Sequence, residues 1–129
     1  MRTICPILLA VLLLAGCGGS VSTTQSLAKT RSCLVDKGVT VRPPKGDFVA
    51  TTASGGTLRA YLHGPKGNFV TISFGASPAE AQSLADGYDR FHGKNVGVAD
   101  ILFTDRNATL LWKLHPTSGD AELVTGCLK

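Results

Sequence analysis

TLRAYLHGPKGNFVTISF, residues 57–74, decides the fold. Leu58, Ala60 and Leu62 alternate with Arg59, Tyr61 and His63, and after Gly64-Pro65-Lys66-Gly67 the alternation resumes with Val70, Ile72 and Phe74. A period of two places successive side chains on opposite faces of a strand. Two such runs joined by a short Gly/Pro turn read as an antiparallel hairpin with one apolar face. Ser77-Pro78-Ala79-Glu80 follows at once, and the period changes to that of a helix. Ser77 is placed to cap, Pro78 to take the first helical position and Glu80 to complete a capping box. Ala81, Leu84, Ala85, Tyr88 and Phe91 make the predicted buried stripe, which runs to about His92 before Gly93 ends the helix.

The same order recurs downstream. Val96 to Phe103 reads as a strand, Thr104-Asp105-Arg106-Asn107 as a turn, and Ala108 to Leu114 as a second strand with Leu110, Trp112 and Leu114 on one face. Pro116 breaks it, and a last helix is expected from about Gly119 to Leu128 with Leu123, Val124 and Cys127 inward. Upstream, Gln25 to Lys37 is expected to be helical, capped by Ser22 or Thr24 and ended by Gly38, with Leu27, Ala28, Leu34 and Val35 on its apolar face. Val39-Thr40-Val41 reads as a short strand stopped by Pro43-Pro44, and Lys45 to Gly56 as a loop with one weak extended stretch, Phe48 to Thr51. Helix–strand followed by two hairpin–helix units predicts an α+β domain: an antiparallel sheet with helices packed on one face. The ferredoxin-like sandwich is the nearest common pattern. The two units share a pattern and no residue-level identity, which is not a demonstrated duplication.

The first sixteen residues are of another kind. Arg2 precedes an almost unbroken apolar run, Ile4 to Leu14, which is the layout of a secretory signal and too short to span a bilayer. Leu14-Ala15-Gly16-Cys17 closes the run, and this tetrapeptide resembles the lipobox of bacterial lipoproteins. The resemblance implies that residues 1–16 are removed and that Cys17, acylated with a diacylglycerol, becomes the mature N-terminus. It implies a protein lipid-anchored on the extracytoplasmic face of the cell membrane, or of an outer membrane where the host has one. Small polar residues from Gly18 to Thr24 suit a short tether. The chain then divides into a signal peptide (1–16), a lipidated cysteine with its tether (17–25) and one α+β domain (26–129). The 113 residues left after cleavage suffice for one compact domain.

Four cysteines follow from this division. Cys5 leaves with the apolar run, and Cys17 is the lipidation site that the lipobox resemblance implies. Cys33 and Cys127 remain near the two ends of the domain, in a compartment where disulfides persist, and are expected to pair. Such a bridge attaches at the edge of the first helix and requires it to lie beside the last. The competing reading is a pair of free thiols or metal ligands, for which there is neither a CxxC pair nor a nearby histidine cluster. Cys33-Leu34-Val35-Asp36-Lys37-Gly38 and the later Cys127-Leu128 also resemble small secreted actinobacterial proteins of unassigned function. That likeness implies a fold more than an activity.

Thirteen Lys and Arg against nine Asp and Glu give a net charge of +4, of which Arg2 supplies one. A surplus of this size suits an ordinary soluble surface, and on a membrane-tethered protein it also suits anionic headgroups or cell-wall polymers. No basic stripe with interleaved aromatics runs through the sequence, which together with the implied compartment disfavours nucleic acid, and none is expected as a partner. Ser77 lies between strand and helix as in a hydrolase elbow, yet Ala79 replaces the second glycine of that motif. His63, His92 and His115 are dispersed, without the converging donors that a metal needs. Asp86 and Asp89 fall on the exposed side of their helix near Arg90 and Lys94. Asp100 interrupts an apolar run, either as an outward residue or bulge or as a buried carboxylate with a role. Ser54-Gly55-Gly56 and Gly64-Pro65-Lys66-Gly67 lack the spacing of phosphate loops, so neither a cofactor nor a metal is expected.

What remains is a face. Arg59, Tyr61 and His63, joined by Thr71 and Ser73, share the predicted solvent side of the hairpin. Mixed aromatic and basic residues there suit a partner-binding surface, as well as an ordinary polar sheet face. The expected role is binding or structural, not enzymatic, with an envelope protein or cell-wall component as partner and the membrane reached through the lipid on Cys17. The alternatives are an enzyme or metal-handling protein whose site forms only in three dimensions, and a small-ligand carrier with an apolar cavity between sheet and helices.

Overall fold

The computed structural model describes residues 24–64, 67–91 and 97–129. The expected signal peptide, Cys17 and most of the expected tether lie outside the described residues, as do Pro65 and Lys66 of the hairpin turn, His92, Gly93, Lys94 and Val96. Helix α1 (Leu27–Asp36) leads into β1 (Thr40–Arg42), and β2 (Thr57–Tyr61) with β3 (Phe69–Phe74) forms the expected hairpin. Helix α2 (Pro78–Phe91), β4 (Leu102–Asp105), β5 (Ala108–Trp112) and α3 (Ser118–Cys127) complete the domain. The five strands form one sheet in the order β1-β2-β3-β5-β4, with every neighbouring pair antiparallel. This is the α+β fold that the alternation predicts. The order differs from the ferredoxin-like pattern, which interleaves two split β-α-β units. Here β3-α2-β4 is one such unit, with β5 inserted, and β1-β2-β3 is a plain meander.

The expectation that the helices share one face holds for α1 and α3 and not for α2. Leu58 and Ala60 of β2, Val70, Ile72 and Phe74 of β3, and Ala108, Leu110 and Trp112 of β5 pack with Leu34 of α1 and Val124 and Cys127 of α3. The opposite side of the sheet receives α2, where Leu84 and Tyr88 pack with Val49, Leu102 and Leu111. Thr71 and Ser73, which read as solvent-facing, are fully buried there, as is Thr109. They are short enough for a helix carrying Ala81 and Ala85 to approach closely, and Thr109 Oγ1 donates to the Ala81 carbonyl at 2.6 Å. A buried hydroxyl satisfied in this way costs little to desolvate.

Helix α1 is ten residues long, too short to persist without tertiary support. Its cap is Ser26, whose Oγ accepts from the Lys29 N–H at 3.2 Å. Thr30 and Leu34 are its buried side chains, while Ala28 and Val35 are exposed, so the helix turns the Thr30–Leu34 side to the core. The Cys33–Cys127 disulfide fastens it to α3, with the two Cα atoms 5.4 Å apart. Beside the bridge, the Ser26 N–H donates to the Lys129 carbonyl at 2.6 Å and the Lys129 N–H to Thr30 Oγ1 at 3.3 Å.

Two predicted extended segments are turns. Val98–Asp100 forms a short 3-10 helix after Gly97, whose φ of +112° redirects the chain, and the strand begins only at Leu102. Asp100 is accordingly exposed in that turn, neither a bulge nor a buried carboxylate. Phe48–Thr51 is likewise not extended: Asp47 Oδ1 accepts the Ala50 N–H at 2.9 Å and opens the 3-10 turn Ala50–Thr52. Phe91, placed in the buried stripe of α2 by its spacing, is 67% exposed, and Leu114 lies beyond the end of β5 and is exposed as well.

Candidate functional site

The register of the sheet builds one cluster on the face that α2 leaves open. Arg42 pairs with Arg59 and Arg59 with Thr71, while Thr40 pairs with Tyr61 and Tyr61 with Phe69. Directly paired residues share a face, so two adjacent rows of side chains cross the strands together. Lys113 extends the second row, since its N–H donates to the Phe69 carbonyl at 2.9 Å just past the end of β5. The guanidinium carbon of Arg59 lies 4.5 Å from the centre of the Phe69 ring, and Lys113 Nζ lies 5.7 Å from it. Arg42 approaches the Tyr61 ring at 6.0 Å, and the two rings are 5.7 Å apart, inclined at 51°. Arg59 is also fixed from below, because Nε donates to Thr71 Oγ1 at 3.2 Å.

An aromatic ring attracts a cation through its quadrupole and leaves the positive charge uncancelled. That distinguishes these three cations from salt-bridged ones. Among the described residues, the ion pair within 4 Å is Asp105–Arg106 at 3.2 Å, in the turn between β4 and β5 at the other end of the sheet. Asp47, which lines a groove next to Arg59, has both carboxylate oxygens engaged, Oδ1 by the Ala50 N–H and Oδ2 by the Tyr88 hydroxyl at 2.8 Å. Burial, reinforced by Asp47, pushes the Tyr88 hydroxyl well above the ordinary tyrosine range, which keeps it a donor. This groove, about 340 Å³, runs from Arg59 past Leu111 and Tyr88 to Phe48 and Phe91. Those last two rings meet edge to face at 6.0 Å and stand largely in solvent.

Of the residues singled out from the sequence, Arg59 and Tyr61 are brought together. His63 lies at the margin, its Nε2 3.0 Å from the Gly38 carbonyl, while Thr71 is buried with Arg59 bonded to its hydroxyl and Ser73 is buried on the α2 side of the sheet. Arg42, Phe69 and Lys113 join the cluster without having been singled out. Phe69 shares the parity of Thr71 and was within reach of the alternation argument, whereas Arg42 and Lys113 need the pairing of separate strands.

A second concavity lies across the sheet. Leu110, Trp112 and Phe103 of the sheet meet Pro116, Ala121 and Thr125 around an apolar crevice of about 280 Å³. That is at the lower limit of sites that enclose a small molecule, roughly 300–1,000 Å³. Ser77 serves as the cap of α2, its Oγ accepting from the Glu80 N–H at 3.2 Å, and His115 Nδ1 lies 3.0 Å from the Pro116 carbonyl. Among the described residues no three His, Cys, Asp or Glu side chains gather as metal ligands, and no helix is long and apolar enough to cross a membrane. Comparison with protein-family models, with characterised proteins and with solved structures finds no match.

Proposed function

We propose that the chain is a lipoprotein of the cell envelope, held at the extracytoplasmic membrane surface through Cys17, whose domain binds a partner through the Arg42–Arg59–Tyr61–Phe69–Lys113 face. One observation carries the binding role: three cations rest on two aromatic rings, none of them in an ion pair within 4 Å among the described residues, on the part of the sheet that α2 leaves open. The anchor rests on the lipobox-like tetrapeptide behind its apolar run. The Cys33–Cys127 disulfide supports an oxidising compartment. The apolar crevice beside α3 is small for a carrier, and the binding face is favoured over it.

Two measurements test the proposal. Mass spectrometry of membrane-fraction protein is expected to find an N-terminal peptide that begins at a diacylglycerol-modified Cys17; an intact N-terminus at Met1 contradicts the anchor. A photoreactive phenylalanine analogue in place of Tyr61 is expected to form a discrete adduct in intact cells, and the same analogue in place of Lys37 is not. Equal adducts from both positions, or none from either, contradict the binding face.

A further inference from the structure

We infer that the ligand of this face is an acidic polysaccharide of the cell wall, a chain of sugars bearing carboxylate or phosphate groups. The inference rests on the binding role proposed above and names its partner. The shape of the charge is the first reason. Arg42 on β1, Arg59 on β2 and Lys113 past β5 form a strip across the strands, and β1 to β5 spans three inter-strand steps, about 14 Å. A strip of separate cations suits a chain of repeated anions better than one small anion. Arg59 is held by the Phe69 ring and by Thr71 through Nε, which leaves its terminal nitrogens to grip a carboxylate or phosphate. Beyond Arg59 the groove ends at the exposed rings of Phe48 and Phe91, against which the apolar face of a sugar ring packs.

The second reason is where the strip lies relative to the anchor. The chain joins the domain at Gln25, which is buried against Asn107 beside Gly75, at the Phe74 end of β3. The cations lie toward the Phe69 end, with the six residues of β3, about 17 Å, between the two ends. They also lie on the face opposite α1, into which the anchored segment leads. Cys17 is eight residues before Gln25, a reach of at most about 28 Å. A domain tethered at one pole is free to present the other pole outward, away from the headgroups of its own membrane. A protein partner fits less well. Protein interfaces are depleted of charged residues at their core, and this face carries three cations spread over a strip.

The test uses the mature acylated protein in neutral detergent micelles, titrated with polygalacturonate, with neutral dextran and with phosphatidylglycerol vesicles. Polygalacturonate is expected to bind, more weakly as salt rises, and dextran not to bind. The variant Arg42→Gln/Arg59→Gln/Lys113→Gln is expected to lose about tenfold or more in affinity, as befits charge-assisted contacts. Lys29→Gln/Lys37→Gln/Lys129→Gln, which removes the same charge from the α1 side, is expected to change little, and thermal melting confirms that both variants are folded. Equal losses in the two variants, or capture by the vesicles and not by the polymer, overturn the inference. If polygalacturonate fails while the photoprobe at position 61 still captures an envelope protein, the polysaccharide is overturned and the binding role stands. Failure of both overturns both.

Discussion

Asn107 and Gln25 exchange a pair of hydrogen bonds across 82 residues of chain: the Gln25 N–H donates to Asn107 Oδ1 at 2.6 Å, and Asn107 Nδ2 donates back to the Gln25 carbonyl at 2.9 Å. The same Nδ2 reaches the Gly75 carbonyl at 2.8 Å. One buried amide therefore fastens the incoming segment to the β4–β5 turn and to the end of β3. It is this knot that fixes where the preceding segment enters the domain.

Asn107→Ala is expected to lower stability by about 3 kcal/mol, because it leaves buried backbone groups without partners. Asn107→Asp is expected to be no better, since a carboxylate keeps the acceptor and turns its second oxygen toward two carbonyls. Urea unfolding of the two variants checks this, and an Asp variant as stable as the parent contradicts it.

The disulfide closes a loop of 94 residues between α1 and α3. Cys33→Ala/Cys127→Ala is expected to cost about 4–5 kcal/mol by the chain-entropy estimate. Because the Ser26–Lys129 and Thr30–Lys129 bonds hold the same two segments, the variant is expected to keep its fold at low temperature and to melt earlier, as followed by circular dichroism.

Glu80 makes the start of α2 sensitive to pH. Its carboxylate accepts from the Ala76 N–H at 2.5 Å, the Ser54 hydroxyl at 2.6 Å and the Ser54 N–H at 2.9 Å, joining the start of α2 to the loop before β2. These bonds, the one from Ala76 first, hold its pKa below the ordinary value of 4.5. A depressed carboxylate pKa contributes stability that is present above the unfolded value and is lost as pH falls through the folded one. The parent is therefore expected to weaken progressively below about pH 4.5, and Glu80→Gln to be about 1 kcal/mol less stable at pH 7 with a flatter acid profile. Glutamine retains the Cβ contact with Gly75, where any added side chain would come within 2.8 Å of Glu80 Cβ. Parallel acid profiles for the two proteins contradict the assignment.

The alternation from Leu58 to Phe74 and the cap at Ser77 were legible because both are local patterns, and both appear where the sequence places them. The side taken by α2 was not. Thr71, Ser73 and Thr109 carry a polar signature, and tertiary contacts make them interior: α2 accepts the Thr109 hydroxyl and Arg59 bonds to that of Thr71. The strand predicted from Val96 failed at Gly97, where a single left-handed residue outweighs the apolar run that follows. In the cation–aromatic cluster, Arg59 and Tyr61 are legible by parity within one hairpin. Arg42 and Lys113 reach it only because β1 lies against β2 and β5 against β3, pairings that no periodicity encodes.

The central claim is that the pole remote from the tether binds acidic polymer, and lysine footprinting tests it most directly. Acetylation rates of individual lysines are read by mass spectrometry on the acylated protein, with and without polygalacturonate. Lys113 is expected to become protected several-fold while Lys29, Lys37 and Lys129 keep their rates. Uniform protection of all four, or protection confined to the three on the α1 side, would contradict it.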